Sequence, residues 1–130
     1  MGSALFTRQD AVVPVTGVNY ADKQGYLIKA AAGVHALNDS KTVPAFGVIL
    51  DAAAAAKNSS VGILGALPGA VRLKAGGAIS QFDRLEQKND GTVVADEGAG
   101  TARVVVGVAL EAAAAGDLFE AATFAPMILP

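Results

Sequence analysis

The sequence predicts a mainly β fold, a compact barrel or sandwich built from two related halves. The first indication is a repeated segment, since residues 47–56 read GVILDAAAAA and residues 107–117 read GVALEAAAAGD. The second is the recurrence of short aliphatic runs separated by turn residues, which is typical of all-β proteins. The third is the composition, with 15 glycines, no tryptophan and only five phenylalanines. A repeated supersecondary unit predicts two copies that bury their apolar faces on each other.

Nine runs of the chain have strand character, because each is rich in aliphatic side chains and is bounded by glycine, proline, asparagine or aspartate. In chain order they are residues 11–16, 25–30, 45–50, 60–65, 70–74, 83–88, 92–95, 102–111 and 118–124. The clearest turn is Asn89-Asp90-Gly91, because Asp-Gly readily supplies the positive φ angles of a tight hairpin.

The alanine tracts that follow both repeated segments are expected to form short helical turns. Alanine is the best helix former, and Asp51 suits the N-cap position before residues 52–57. Five or six residues cannot sustain a helix in isolation, and each tract lies between two strand-like runs. We therefore place each tract as a compact helical turn at one end of a β unit.

The single β domain is expected to span residues 11–124, with internal repeats at 11–65 and 70–124. Residues 1–10 lack hydrophobic periodicity and predict an extended N-terminal arm, in which Leu5 and Phe6 are apolar anchors and Arg8 is a polar tether. Residues 125–130 are expected to form a C-terminal tail. The chain has no apolar signal-peptide core and no long apolar run, which indicates synthesis in the cytoplasm and no membrane partner.

Charge and cysteine content exclude several classes of function. The chain has 10 Lys and Arg against 12 Asp and Glu, for a net charge of −2, and its basic residues are scattered singly. It therefore lacks the basic stripe that direct nucleic-acid binding requires. Because cysteine is absent, neither disulfides nor thiolate metal sites can form. No cofactor and no metal are expected.

Residues with catalytic potential are few, and the sequence predicts no enzyme. The single histidine, His35, stands in a short apolar run and is expected to be a packed or surface strand residue. No Gly-x-Ser-x-Gly elbow occurs to supply a serine nucleophile. The repeated acids Asp51 and Glu111 could pair across a pseudo-twofold axis and share a proton or a cation. We favour N-caps or solvated turn residues for both, and a solvated loop for Asp96 and Glu97.

A carrier domain with a modified lysine is also disfavoured. Such a lysine projects from a tight hairpin between two small or apolar residues, whereas Lys57 follows five alanines and precedes Asn58 and Ser59. The second repeat has Asp117 at the matching position. Lys57 is therefore incidental as a modification site.

Four segments of the C-terminal half form an ordered pattern of turns and strands: residues 76–79 (GGAI), 83–85 (DRL), 90–93 (DGTV) and 107–117. In this pattern the chain resembles the small phage structural proteins known as capsid cement or decoration proteins. The first half fits the pattern more loosely, so that the resemblance covers most of residues 11–124. The sequence departs from the pattern at Phe82, where the family has a small residue or glycine, and beyond Phe124, where the chain continues.

The resemblance implies a virion protein that binds the outer surface of an icosahedral phage head and stiffens it, commonly as a trimer. The implied partners are the major capsid protein and further copies of this chain, on the outer capsid surface. Seven residues are assigned to a capsid or subunit interface: Leu5, Phe6, Arg8, Asp51, Lys57, Glu111 and Asp117.

The alternative is a small β-barrel that binds a ligand or peptide and is unrelated to virions. Such a module would bring aromatic side chains together around a cavity. Convergence of Tyr20, Tyr26, Phe82 and Phe119 would favour this alternative, whereas scattered aromatic side chains would favour the capsid protein.

Overall fold

The computed structural model describes residues 11–54, 57–67 and 69–130, which form ten strands in two antiparallel sheets. The first sheet consists of β1 (Val12–Val15), β2 (Leu27–Ala31), β3 (Val34–Leu37), β4 (Gly47–Asp51) and β5 (Ser59–Ile63). The second consists of β6 (Ala70–Lys74), β7 (Arg84–Gln87), β8 (Val93–Ala95), β9 (Arg103–Ala109) and β10 (Leu118–Leu129). The prediction of a mainly β fold is confirmed.

The two sheets have the same strand order. It runs β1-β5-β4-β2-β3 in the first sheet and β6-β10-β9-β7-β8 in the second, so each strand has a counterpart five places later in the chain. We call β1–β5 with their connections unit one, and β6–β10 with theirs unit two. The repeated letters of the sequence therefore correspond to a repeated topology.

The repeated glycines occupy corresponding positions in the two units. Gly47 lies opposite Ile63 of β5, and Gly107 lies opposite Thr123 of β10. A Cβ atom on either glycine would collide with a backbone oxygen of the neighbouring strand. Glycine opens both repeated segments because each neighbouring strand passes too close for a side chain.

Two hydrophobic clusters fill the interior. The larger contains buried residues of both units, and the smaller contains only residues of unit one, namely Tyr20, Ile28, Ile49 and Val61. By register, Ile28 and Ile49 correspond to Leu85 and Ala109, which lie in the larger cluster. Corresponding faces therefore enter different clusters. A pseudo-twofold axis would bring corresponding faces together, so this packing does not support the disfavoured alternative in which Asp51 and Glu111 pair across such an axis.

The short helical turns expected for the alanine tracts are absent from the described residues of both tracts, and none of the other described residues lies in a helix. In the first tract, Ala53 accepts a hydrogen bond from the Tyr20 N–H and donates its own N–H to the Ser59 hydroxyl. In the second, Ala113 exchanges two backbone hydrogen bonds with Ile79. These hydrogen bonds to other segments occupy the backbone N–H and carbonyl groups that would otherwise bond within a helical turn. No described helix is therefore available to span a membrane.

Two local features differ from the sequence analysis. Strand β3 was not predicted, because its segment is short and its first side chain, Val34, faces solvent. Strand β10 continues to Leu129, so residues 125–129, expected in a tail, belong to the strand, and Met127–Leu129 pair with β9 after a register shift between Thr123 and Met127. The predicted arm, residues 1–10, lies outside the described residues.

Candidate interaction surfaces

Unit one docks onto unit two through the turn that precedes β2. The carbonyl oxygen of Gly25 accepts a hydrogen bond from the Lys74 N–H at 3.0 Å, and the Leu27 N–H donates to the Gly91 oxygen at 2.7 Å. A Cβ atom on Gly25 would lie 2.5 Å from the Leu118 side chain. We call residues 25–27 the docking turn of unit one. Its backbone approaches unit two so closely that a residue without a side chain is required.

The corresponding turn of unit two carries an exposed phenylalanine. The Gly25 N–H bonds to the Ile49 oxygen and the Phe82 N–H bonds to the Ala109 oxygen, both at 2.8 Å, which places Gly25 and Phe82 at corresponding positions. Both adopt positive φ, 84° and 70° respectively. For a bulky residue this conformation costs on the order of 1–3 kcal/mol. Phe82 is nevertheless 69% exposed, so burial within the chain does not offset this strain.

The surface that receives the docking turn also has an uncovered counterpart. In unit two, a Cβ atom on Gly91 would lie 3.0 Å from the Tyr26 ring, whereas one on the corresponding Gly33 would meet nothing within 4 Å. The next residue in each unit shows the same contrast, since Thr92 is 7% exposed and Val34 is 66% exposed. The docking turn therefore covers this surface of unit two, whereas the described residues leave the corresponding surface of unit one exposed.

His35 has structural partners on both ring nitrogens. Its Nε2 lies 3.0 Å from the Thr16 carbonyl oxygen, which can only accept, so Nε2 donates. Its Nδ1 therefore accepts from the Tyr20 hydroxyl at 2.7 Å. Burial raises the pKa of Tyr20 and keeps that hydroxyl protonated as a donor. The pair links β3 to the loop that covers the smaller cluster.

A buried ion cluster, missed by the sequence analysis, lies at the Asp96 loop. The Asp96 side chain is 8% exposed, receives a hydrogen bond from Arg84 Nε at 2.8 Å and pairs with the buried Arg103 guanidinium. Burial alone raises its pKa, but hydrogen bonds from Arg103, the Gly98 N–H and Arg84 outweigh it and hold the pKa at about 2. Arg103 Nη1 also donates to the Pro130 oxygen at 2.7 Å. The cluster therefore ties the end of β10 to the loop after β8.

The predicted interface residues of unit two have local partners. The Asp117 carboxylate accepts a hydrogen bond from the Ala114 N–H at 3.0 Å, as expected of a turn residue. The Glu111 carboxylate accepts one from the Glu120 N–H at 3.2 Å. Both side chains belong to exposed residues at the same end of the second sheet.

The predicted interface residues of unit one, Asp51 and Lys57, have fewer described side-chain hydrogen bonds than those of unit two. Asp51 lies at the end of β4 opposite Ser60, and Lys57 is exposed in the connection to β5. None of the described contacts joins Asp51 to Glu111. The described residues contain no group of three or more potential metal ligands. Leu5, Phe6 and Arg8 lie outside the described residues.

A groove of about 470 Å³, lined by both polar and apolar residues, lies between the β7–β8 hairpin and the loop after β6. It is lined by Lys41, Gly77, Ala78, Lys88, Asn89, Val94, Ala95 and Glu97. Lys41 and Glu97 form an ion pair at its side, 3.3 Å apart. Tyr20 and Phe119 are buried in separate clusters, and Phe82 faces solvent. The aromatic side chains do not converge on this groove, so the geometry does not favour a binding module.

Comparison with known proteins adds one finding about the fold. No family model matches the sequence, and no curated protein sequence matches it. Among solved structures, the chain is similar to the head fiber gp8.5 N base of bacteriophage phi29, with a TM-score of 0.60 and 21% sequence identity. The match covers 88% of this chain and 94% of that chain. It shows that a fold similar to that of this chain occurs in a phage head fiber protein.

Proposed function

We propose that this chain is a structural protein of a phage virion that binds the outer surface of the head and stiffens it. The observation that supports the proposal most is the fold similarity to the phi29 head fiber base over nearly the full length of both chains. The resemblance of residues 76–117 to capsid cement proteins was found independently, from the sequence alone.

The physical character of the described residues suits such a role. The described residues form ten strands, and the glycines at 47 and 107 allow the neighbouring strands to approach closely. The described surfaces that stand out are apolar or strained features, Phe82 and Val34, rather than a cavity with catalytic groups. A rigid body with exposed apolar anchors is suited to attachment and not to turnover.

The proposed assembly is a homotrimer on the head, with the major capsid protein as its partner. A symmetric oligomer touches several capsid subunits at once, so weak individual contacts add up to slow dissociation. Residues 1–10 are proposed to extend one further contact from each copy, with Leu5 and Phe6 as anchors. An added strand at a sheet edge gains main-chain hydrogen bonds without a large interface.

The proposal is tested with heads of the phage whose genome encodes this chain, prepared from a deletion of its gene. Purified full-length protein is titrated against these heads, and bound protein is measured by sedimentation with the heads. We expect saturable binding and increased resistance of the heads to heat, measured as DNA release. Absence of binding, or binding only to disrupted heads, would overturn an outer-surface role.

A variant that lacks residues 1–10 tests the arm separately. Because these residues lie outside both units, we expect the isolated variant to unfold at the same urea concentration as the full chain. If each arm contributes about 1 kcal/mol, three arms change occupancy by on the order of a hundredfold. Equal occupancy by both proteins would remove the arm from the proposal and leave head binding intact.

A further inference from the structure

The two units of one chain are joined by a contact that each chain could repeat with a second copy. Unit one presents a docking turn, and unit two presents the surface that receives it. Among residues 11–54, 57–67 and 69–130, none covers the corresponding turn on unit two or the corresponding receiving surface on unit one. The described part of each molecule thus has one free surface of each kind.

The uncovered turn comprises Phe82, Asp83 and Arg84. By hydrogen-bond register, Leu27 lies opposite Val48 and Arg84 lies opposite Val108, so Arg84 corresponds to Leu27. Leu27 is fully buried in the larger cluster, whereas Arg84 is exposed. We call residues 82–84 the free docking turn.

The uncovered receiving surface comprises Gly33, Val34 and Asn58. Ser59 of β5 lies opposite Val15, and Phe119 of β10 lies opposite Leu73, so Ser59 and Phe119 correspond. Asn58 precedes Ser59 and Leu118 precedes Phe119, so Asn58 and Leu118 correspond as well. Leu118 meets the docking turn in unit two, whereas Asn58 is exposed in unit one. We call these three residues the free receiving surface.

The side chains of the two free surfaces have complementary sizes. Within one chain, the turn has the smallest residue, Gly25, and the receiving surface has the large Leu118. On the free surfaces the order is reversed, because the turn has Phe82 and the receiving surface has the smaller Asn58. Val34 adds an exposed apolar side chain beside it.

One pair of charges near the two surfaces, Glu111 and Lys57, is opposite in sign. Gln81 next to the free docking turn donates a hydrogen bond to the Leu110 oxygen, which brings Glu111 to the same end of the molecule. Lys57 is the neighbour of Asn58 in the chain and is exposed. Like charges, Asp51 and Asp117, hold the corresponding positions in the contact within the chain.

We propose that the free docking turn of one copy binds the free receiving surface of a second copy, head to tail. Phe82 inserts beside Asn58 and Val34 of the neighbouring molecule, so that its burial offsets the cost of its positive φ. A head-to-tail contact closes into a ring when its rotation divides a full turn. This inference rests on the self-association part of the proposed function and not on head binding.

Cysteine cross-linking tests the contact directly, because the chain has no cysteine of its own. Q81C and N58C proteins, which both keep Phe82, are mixed, oxidised mildly without heads and separated on a non-reducing gel. We expect a mixed dimer at about tenfold the yield obtained when N58C is mixed with T101C, a control at an exposed residue outside both surfaces. Equal yields in the two mixtures would overturn the contact, as would Q81C linking to itself in preference to N58C.

Sedimentation equilibrium gives a second measurement that needs no cysteine. The F82G variant reproduces the residue that unit one has at this position and is expected to fold normally. We expect self-association to weaken by about tenfold or more, whereas V43S, at another exposed apolar residue, leaves it unchanged. Unchanged association of F82G, or a wild-type protein that stays monomeric at all accessible concentrations, would overturn the proposal. Because heads are absent from both experiments, a failure here leaves the head-binding proposal to its own test.

Discussion

Units one and two share a strand order but differ in what fills and covers them. Unit one closes its small cluster with the polar pair Tyr20 and His35, whereas the corresponding positions of unit two hold Ile79 and Val93. In unit two a backbone hydrogen bond, from the Gly76 N–H to the Val93 oxygen, also closes this place. Backbone register and glycine position therefore define the repeat, and the side chains of each unit have diverged according to what lies against them.

The largest expected difference between the units is in core packing. Leu85→Ala in the larger cluster should destabilise the protein by about 3–4 kcal/mol, because it leaves a cavity among fixed neighbours. Ile28→Ala at the corresponding position should cost about 2 kcal/mol, because the smaller cluster has half-buried members that can relax. Urea unfolding followed by circular dichroism measures both values.

Tyrosine fluorescence sharpens this first comparison. The chain has two tyrosines and no tryptophan, and both Tyr20 and Tyr26 belong to unit one. Fluorescence thus reports on unit one, and circular dichroism reports on both units. Coincident transitions would show one cooperative domain, whereas an earlier fluorescence transition in the Ile28→Ala protein would show that unit one unfolds by itself.

The second expected effect concerns the buried ion cluster at Asp96, which the described residues of unit one lack. The pKa of Asp96 is about 2 in the folded protein and 3.8 in the reference state, so the unfolded chain binds a proton first as the pH falls. Stability should be complete above about pH 4 and fall by about 1–2 kcal/mol towards pH 2, after allowance for solvent screening. Urea unfolding between pH 2 and pH 6 measures the slope.

Two variants test whether Asp96 causes this pH dependence of stability. D96N removes the titrating group and should flatten the acid limb, although it also lowers stability at neutral pH. D39N serves as the control, since the hydrogen bond from Lys29 lowers the pKa of Asp39 on an exposed part of unit one. A slope that D39N removes and D96N retains would contradict the assignment.

The third effect is the contribution of the polar pair in unit one. Tyr20→Phe removes the hydroxyl that His35 Nδ1 accepts from and should cost about 1 kcal/mol. A double-mutant cycle with His35→Ala should give a coupling energy of a similar size. A coupling energy near zero would show that the bond contributes nothing and that the two side chains act only through packing.

The smallest expected effect on stability is at the free docking turn. Phe82→Gly should stabilise the isolated protein by up to about 1 kcal/mol, because the relief of the positive φ exceeds the entropy cost of glycine. Gly25→Ala at the corresponding turn should destabilise it, because a Cβ atom there meets Leu118. A destabilised F82G would mean that Phe82 supports the fold and is not an exposed contact residue.

The features of this fold that depend on neighbouring residues in the chain were predicted from the sequence. The strands, the repeated glycines and the Asp90-Gly91 turn follow from alternation and turn chemistry. The alanine tracts were predicted wrongly because their backbone partners, Tyr20 and Ile79, are about 30 residues away in the chain. Such partners cannot be read from propensity.

The candidate surfaces were predictable only in part. Phe82 was recognised as a departure from the capsid cement pattern, but its exposure and its correspondence to Gly25 required the register of both sheets. The sequence analysis placed Asp96 in a solvated loop because Arg84 and Arg103, its partners, become neighbours only when β7 and β9 pair. Long-range charge pairs of this kind leave no mark on a single sequence.

Electron cryo-microscopy of heads with bound protein tests the account most directly. The account predicts density for this fold on the outer surface of the shell, in clusters of three copies, with Phe82 of one copy beside Asn58 of the next. Density inside the shell, or heads that bind no protein, would contradict the proposed function. Outer density in which Phe82 faces solvent or the capsid would contradict the head-to-tail contact and leave the function standing.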